Sequence, residues 1–187
     1  GFANDNLGVD FPAFARGFSE TIAAGILPGA PLYMTMSAQE WGVVDGAIRD
    51  AGFHWSSTII WVKDHAVLTR KDYHTRYEPM WYGWKDGAAR LAVLEDRSQN
   101  DVWEFDRPTR SPEHATMKPV DLVARALFNS SRAGDLVFDP FLGSGTTAVA
   151  AQQVGRVCLG AELEPRYVSV CLERLTGMGL GCAKRKD

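Results

Sequence analysis

The sequence has few cysteines and no long apolar run, and both shortages exclude classes of protein. Its three cysteines are an odd number without paired spacing, which argues against a disulfide framework and fits a reducing cytoplasm. No stretch is apolar and long enough to span a membrane, and no signal peptide is found. We therefore expect a cytoplasmic protein.

The sequence also lacks an excess of positive charge and a cluster of histidines with metal-ligand spacing. The formal net charge is −3, so any nucleic acid must be contacted through a local basic patch. The four histidines are scattered without metal-ligand spacing, so we expect no metal. The length of 187 residues suits one ordinary domain. We predict a single domain over residues 1–176 and a flexible tail over 177–187.

What the sequence does contain is an alternation of apolar patterns. The order of strand, helix and strand predicts an α/β fold with a parallel sheet and crossovers. Residues 63–76 lack a clear period and are predicted to form a loop, and residues 90–94 are expected to pair with the strand before them. The predicted helices cover 11–25 and 41–51, and the predicted strands cover 31–36, 57–62 and 78–84.

A further helix is predicted from Pro119, which suits a first helical turn, and it should stop by Gly134. It follows a polar loop over residues 107–117. The residues expected on the inner face of this helix are Val120, Val123, Ala124 and Leu127.

Residues 134–167, GDLVFDPFLGSGTTAVAAQQVGRVCLGAELEPRY, carry the strongest pattern. Residues 136–138 read as a buried parallel strand. A glycine-rich loop follows and opens a helix near Thr146. A second apolar run, 157–161, ends on Glu162. Strand, glycine loop, helix, strand and acid make half of a nucleotide-binding α/β unit.

Each part of this unit suits a ligand. The glycines let the backbone approach a ligand with no Cβ in the way. Because the loop opens a helix, unpaired N–H groups point at whatever lies there. Glu162 follows Asp139 by 23 positions (162 − 139), which is the usual place for an acid that binds ribose hydroxyls. We therefore predict a crevice for an adenosine-containing cofactor.

The choice of cofactor depends on how the loop leaves the strand. Gly143, Gly145 and Ala148 match the dinucleotide pattern G-x-G-x-x-A, which leaves an NAD-type oxidoreductase open. However, Asp139-Pro140-Phe141-Leu142 separates the strand from the first glycine, and an acid at the strand end is a poor neighbour for a pyrophosphate. This arrangement favours S-adenosylmethionine over NAD.

The motifs DPFLGSGTT and GAELEPRY resemble the cofactor motifs of the DNA amino-methyltransferases, which make N6-methyladenine or N4-methylcytosine. The order of the motifs along the chain is similar to that of the permuted subgroup, in which the catalytic motif precedes the cofactor motif. NDN, IIWVKD, DYH…YEPMWYGWKDGAA, VWEFDRP and H-x-T-M-K-P are similar to phage and prophage adenine-type DNA methylases. The resemblance implies a Rossmann-like S-adenosylmethionine-dependent methyltransferase fold, with a mostly parallel twisted sheet and helices on both faces.

The resemblance also assigns cofactor-binding residues. The plainer alternatives are a tight strand–helix turn for the glycine loop, a solvated lysine for Lys118 and an ordinary loop histidine for His114. Two groups are assigned: Asp139, Phe141, Gly143, Ser144, Gly145, Thr146 and Glu162 from the cofactor motifs, and His114, Lys118 and Pro119 from H-x-T-M-K-P.

The basic segment of residues 63–76 is the predicted contact with double-stranded DNA, within a DNA-facing insert over 63–110. Its cations can meet phosphates, whereas the alternative is a solvated surface loop. Relatives are often dimers, so a homodimer is a further expectation. The predicted DNA-binding residues are Lys63, Arg70, Lys71 and Arg76.

One family element is missing, since the sequence contains no Asp-Pro-Pro-Tyr tetrapeptide. We therefore predict no catalytic residue, expect that the amino-terminal part of a methyltransferase is absent, and expect little or no methyl transfer by this chain. The reaction implied for a complete protein is direct transfer to the exocyclic amino group of a flipped base. Adenine N6 is preferred; cytosine N4 and an inactive cofactor-binding remnant remain alternatives.

Overall fold

The computed structural model describes residues 7–68, 70, 72–108 and 117–180. It divides into two compact units, Gly1–Asp106 and Arg107–Asp187, and each has its own sheet. The single domain over residues 1–176 stays a prediction, and most of the predicted tail, residues 181–187, lies outside the described residues.

The first unit confirms the predicted helices and strands, although two strands are longer than expected. A short 3-10 helix, Gly8–Asp10, precedes the first α-helix. The elements in order are α1 (Phe11–Gly25), β1 (Pro31–Thr35), α2 (Trp41–Asp50), β2 (Phe53–Val67), β3 (Thr75–Lys85) and β4 (Val102–Glu104).

The sheet of this unit has the strand order β1-β3-β2-β4. β3 is antiparallel to both β1 and β2, while β2 and β4 are parallel. The predicted parallel sheet is therefore only partly correct. The crossover through α2 leaves a gap one strand wide between β1 and β2, and β3 returns from β2 to fill it.

The predicted loop over residues 63–76 is wrong for half of its length. Residues 63–67 belong to β2 and residues 75–76 to β3, so the two strands form a long hairpin, and the described residues of its tip are 68, 70 and 72–74. The apolar period fades here because the strands carry charged residues beyond the buried part of the sheet. The predicted pairing of 90–94 with β3 is also wrong, since β1 and β2 already occupy both edges of β3.

Helices α1 and α2 share an apolar core with one face of this sheet. Trp81 on β3 is completely buried there, and its indole Nε1 donates a hydrogen bond of 2.8 Å to Asp45 Oδ1 on α2. The hydrogen bond satisfies the polar atom of the buried ring, which would otherwise destabilise the core. The buried members of the core are Ile22, Ala23, Val44, Ile48, Phe53 and Trp81.

A buried cation lies between β2 and β3. Lys63 is only 6% exposed, and its Nζ lies 2.7 Å from Glu78 Oε1 and 5.1 Å from the centre of the Trp61 ring. Arg76 Nε donates to the backbone oxygen of Lys63 at 2.9 Å. The ammonium group is thus held by a carboxylate and an aromatic face inside the hairpin.

The described residues of the second unit form three helices and a two-stranded parallel sheet. β5 pairs with β6, and α4 packs against α3, α5 and β6. These elements confirm both strands and the helix predicted over 134–162. The bounds are α3 (Val120–Ser130), β5 (Leu136–Asp139), α4 (Thr146–Gln153), β6 (Val157–Gly160) and α5 (Pro165–Gly177).

The inner face of α3 differs from the predicted one. Its packing against α4 buries Leu122 and Ala126. The four residues expected on that face are only partly buried, because the apolar residues of α3 extend around more than one side of the helix. Among the described residues no helix has the length and apolar character needed to cross a membrane.

We predict that removing Glu78 destabilises the first unit far more than removing Lys63. The Glu78→Ala variant leaves a buried ammonium group unpaired and should lose about 2–3 kcal/mol of unfolding free energy. Lys63→Met should change it by about 1 kcal/mol or less, because methionine keeps the apolar stem and Glu78 is 27% exposed. Urea unfolding followed by tryptophan fluorescence measures both values.

The exposed pair Arg49–Asp45 provides the control. Arg49→Met should lose less than about 1 kcal/mol. Equal losses for Glu78→Ala and Arg49→Met would contradict the importance of the buried pair.

Candidate functional site

The glycine loop, residues 140–145, connects the end of β5 to the start of α4. Gly143 and Gly145 have φ angles of 56° and 85°, a left-handed conformation that disfavours other residues. Gly145 is also the N-cap residue of α4. The chain therefore makes its sharp turn from strand to helix on two residues that lack a Cβ atom.

Gly145 must be glycine for a second reason. A Cβ atom at this position would lie 2.4 Å from Sγ of Cys171, which is buried on α5. The backbone of the loop therefore packs directly against α5, and no side chain can separate the two.

The Glu162 carboxylate is directed at the glycine loop. Its Oε2 accepts a hydrogen bond of 2.7 Å from the Gly143 N–H, and its Oε1 accepts one of 2.8 Å from the Glu164 N–H. Each carboxylate oxygen has a further acceptor position. The group is thus fixed in orientation and can still accept hydrogen bonds from hydroxyl groups of a ligand.

Asp139 lies beside this carboxylate at the same edge of the sheet. It is the last residue of β5 and pairs with Gly160, two residues before Glu162, so both acids lie at the carboxyl ends of adjacent parallel strands. Asp139 Oδ1 accepts a hydrogen bond of 2.9 Å from the Phe141 N–H, and Leu142 N donates to the Ala161 oxygen at 2.9 Å. These bonds hold the loop over the strand ends, which is where α/β proteins bind ligands.

The start of α4 adds hydrogen-bond donors to this edge. No side chain caps α4 in the described part of the chain, and the first N–H groups of a helix lack partners within the helix. Thr146 at its start is only 8% exposed, whereas Phe141 in the loop is 49% exposed. The edge therefore combines two carboxylates with helix N–H groups and an accessible aromatic ring.

Cys158, which lies on β6, is not a nucleophile. Burial, together with the smaller electrostatic effects of Asp139 and then Cys171, raises the pKa of Cys158 to about 12. A thiol with this pKa stays protonated at neutral pH and is unreactive. Cys158 therefore contributes packing beneath the strand ends.

Arg174 on α5 contacts the loop and was not found from the sequence. Its Nη1 donates to the backbone oxygen of Ser144 at 2.7 Å and lies 3.4 Å from Ser144 Oγ. Burial lowers the pKa of Arg174. No motif points to this contact, because the two residues are 30 positions apart and an arginine on a helix normally faces solvent.

The structure brings together some of the predicted cofactor residues. Asp139, Phe141, Gly143 and Glu162 are linked by the hydrogen bonds above, with Ser144, Gly145 and Thr146 completing the turn. Lys118 and Pro119 directly precede α3, and their role stays a prediction. His114 lies outside the described residues.

Three of the four predicted DNA-binding residues are described by the structure, and they lie on the hairpin of β2 and β3. Arg70 in the tip and Arg76 on β3 are exposed. Lys63 is buried and paired with Glu78, so its ammonium group faces the protein. Lys71 lies outside the described residues. Across the described ranges, no three His, Cys, Asp or Glu side chains form a group that could hold a metal ion.

Comparison with known proteins identifies similar sequences and folds. The profile of a family described as DNA methylase, N6_N4_Mtase, matches residues 16–173. Type II methyltransferase M.Cfr9I of Citrobacter freundii is 32% identical over 148 residues, which cover 70% of this chain and 47% of that protein. The chain spans about half the length of the curated relatives it matches.

Two solved structures show the same fold. The M1.HpyAVI–SAM complex has a TM-score of 0.74 at 22% identity, covering 85% of this chain and 80% of that chain. PvuII DNA methyltransferase, which is cytosine-N4-specific, has a TM-score of 0.78 at 16% identity, covering 93% of this chain and 76% of that chain. These likenesses confirm the predicted Rossmann-like α/β fold.

We predict that Gly145→Ala destabilises the second unit. The added methyl group overlaps Cys171 Sγ, and alanine is strained at a φ of 85°, so the variant should lose about 2–4 kcal/mol of unfolding free energy. Gly17→Ala is the matched control, because Gly17 lies inside α1 with no atom near its added Cβ.

The control variant should be unchanged or gain up to about 1 kcal/mol, since alanine is the better helix former. Chemical denaturation of the three proteins measures the difference. A Gly145→Ala protein as stable as the Gly17→Ala protein would contradict the close approach of loop and helix.

Proposed function

Because this chain belongs to the N6/N4 DNA methylase family, we propose that its second unit binds S-adenosylmethionine along the glycine loop. The observation that carries the proposal is the hydrogen bond of 2.7 Å from the Gly143 N–H to the Glu162 carboxylate. It holds an acid that follows β6 directly against a turn whose two left-handed residues, Gly143 and Gly145, have no side chain. Such an arrangement accepts hydroxyl groups of a ribose.

The residues at this edge fit an adenosine-containing cofactor. Glu162 retains acceptor positions for ribose hydroxyls, and the exposed ring of Phe141 offers an apolar surface. The two carboxylates suit a cofactor that carries positive charge better than one that carries a pyrophosphate. Bound there, S-adenosylmethionine supplies a methyl group on a positively charged sulfur. M1.HpyAVI, which has the same fold, was crystallised as a complex with SAM, and this agrees with the choice.

For the complete protein we propose methylation of DNA at the exocyclic amino group of a base. That group is inaccessible within a duplex, so the base must be flipped out. Most of the rate enhancement would come from holding two reactants in line. A protonated Cys158 is consistent with direct transfer that needs no cysteine nucleophile.

The target base is adenine at N6 in our proposal, on the resemblance of the motifs to phage adenine methylases. The alternative is cytosine at N4, which the similarity to the cytosine-N4-specific PvuII enzyme favours. The alternative of an NAD-type oxidoreductase is no longer favoured, because its G-x-G-x-x-A pattern lies within the part of the chain that matches the DNA methylase family.

We propose that DNA phosphates meet the exposed cations of the hairpin. Arg70 and Arg76 are accessible for this contact, and Lys71 is included on its sequence position alone. Lys63 would have to leave Glu78 to reach a phosphate, so its contribution is to hold the hairpin. Phosphate contacts position a protein on DNA and make its affinity dependent on salt.

We predict that the chain binds S-adenosylhomocysteine and that Glu162→Ala weakens this binding about 10- to 100-fold. The loss corresponds to the net value of one hydrogen bond from a hydroxyl group to a charged acceptor, about 1.5–3 kcal/mol. Isothermal titration calorimetry of the purified chain measures both dissociation constants.

Glu173→Ala is the matched control, since Glu173 is an exposed acid on α5 in the same unit. It should bind with unchanged affinity. Equal affinities for all three proteins would refute the role of Glu162, and a wild-type chain that binds NAD but no S-adenosyl compound would refute the proposed function.

We also predict that the double variant Arg70→Ala/Arg76→Ala binds duplex DNA more weakly and with less dependence on salt. Each lost phosphate contact should reduce the slope of log affinity against log salt by about 0.9. The charge-matched control is Arg16→Ala/Arg132→Ala, which removes two exposed arginines outside the hairpin. Fluorescence anisotropy at several salt concentrations distinguishes the two, and identical slopes would argue against the hairpin as the contact.

A further inference from the structure

The contact between Arg174 and the glycine loop links two segments that are far apart in sequence. The guanidinium Nη1 donates to the Ser144 backbone oxygen at 2.7 Å, within the range of a strong hydrogen bond. The Ser144 hydroxyl oxygen, at 3.4 Å, is a weaker second acceptor. The shorter hydrogen bond of Arg174 is therefore to the backbone of the loop, and the longer one is to the Ser144 side chain.

This contact completes the immobilisation of one peptide group. The peptide between Ser144 and Gly145 has two polar groups. Its oxygen accepts from Arg174, and its N–H donates to the Leu142 oxygen at 3.0 Å. With both groups engaged, the peptide plane cannot rotate without losing a hydrogen bond. The next N–H groups along the chain are those that open α4.

The loop is held by opposite charges at successive positions. The carboxylate of Glu162 holds the Gly143 N–H, and the guanidinium of Arg174 holds the Ser144 oxygen. Cys171, one turn before Arg174 on α5, packs against Gly145 and brings the helix close enough for the contact. The turn is thus fixed from the sheet and from the helix together.

The partners of Arg174 indicate a role beyond stability. Within the described residues its guanidinium has no carboxylate at ion-pair distance, although it is partly buried. Burial of a cation is unfavourable, and a backbone oxygen compensates for it less than a carboxylate does. A purely structural contact at this place could be made by an apolar side chain without that cost.

We infer that Arg174 is a positioning residue for cofactor binding, which holds the Ser144–Gly145 peptide so that the N–H groups at the start of α4 face the ligand. The inference rests on the proposed binding of S-adenosylmethionine at this loop. Without Arg174 the loop samples other orientations, and the apparent dissociation constant rises by the inverse of the fraction that remains competent.

The test is calorimetric titration of the full chain with S-adenosylhomocysteine. Arg174→Met should weaken binding about tenfold, as expected if about a tenth of the molecules keep the competent loop. Arg174→Lys keeps one charged donor and should recover most of the affinity, to within about threefold of wild type.

Arg156→Met is the matched control for a merely structural effect. Arg156 also ties backbone segments of the second unit together, donating to the Ser131 oxygen at 2.6 Å and to Ser131 Oγ at 3.0 Å, away from the glycine loop. This variant should lower the melting temperature of the ligand-free chain but leave the dissociation constant within about twofold.

Two results would overturn the inference. One is an unchanged dissociation constant for Arg174→Met, and the other is an equal loss of affinity for Arg156→Met. If Arg174→Met does not fold, Arg174→Lys and Arg174→Gln replace it, and affinities equal to wild type in both would count against the role. A wild-type chain that fails to bind S-adenosylhomocysteine is a different result, because it refutes the proposed function itself.

Discussion

The hydrogen bond between the Glu162 carboxylate and the Gly143 N–H is the interaction on which the candidate site depends. It joins the end of one strand to the turn that follows its neighbour. Parallel strands place their carboxyl ends at one edge, so an acid after β6 and a loop after β5 meet without any long connection. The positive φ angles of Gly143 and Gly145 allow the loop to bend back over that edge.

The site could be predicted largely from sequence because its elements are local. Strand, glycine loop, helix, strand and acid follow one another within 30 positions, and spacing alone indicates their relative places. Arg174 could not be found in this way. Its contact depends on how α5 packs, and Gly145 and Cys171 give no sign in the sequence that they touch. Partners brought together only by packing leave no periodic pattern.

In the first unit, too, local features could be predicted from the sequence and features that depend on packing could not. Helices and strands with clear periods have the predicted type, whereas the outer part of the hairpin of β2 and β3 differs from the loop predicted over residues 63–76. A strand that extends beyond the core carries charged residues, so its sequence resembles that of an exposed loop. Lys63 is an example, because it lies within β2. Its ammonium group is buried because Glu78 on the next strand neutralises it, and that pairing depends on the register of two strands. Neighbour order in a sheet likewise cannot be read from periodicity.

The position of β3 between β1 and β2 also has a consequence for how the protein is made. Within the described residues, β3 is the only hydrogen-bonded neighbour of β1, yet it ends 50 residues later in the chain (85 − 35). As the chain leaves the ribosome, β1 and the two helices emerge before β3, and their apolar faces stay exposed to solvent until β3 is available. The sheet can close only after Lys85 has emerged, so nascent chains that pause before that point are the ones exposed to aggregation and to chaperones.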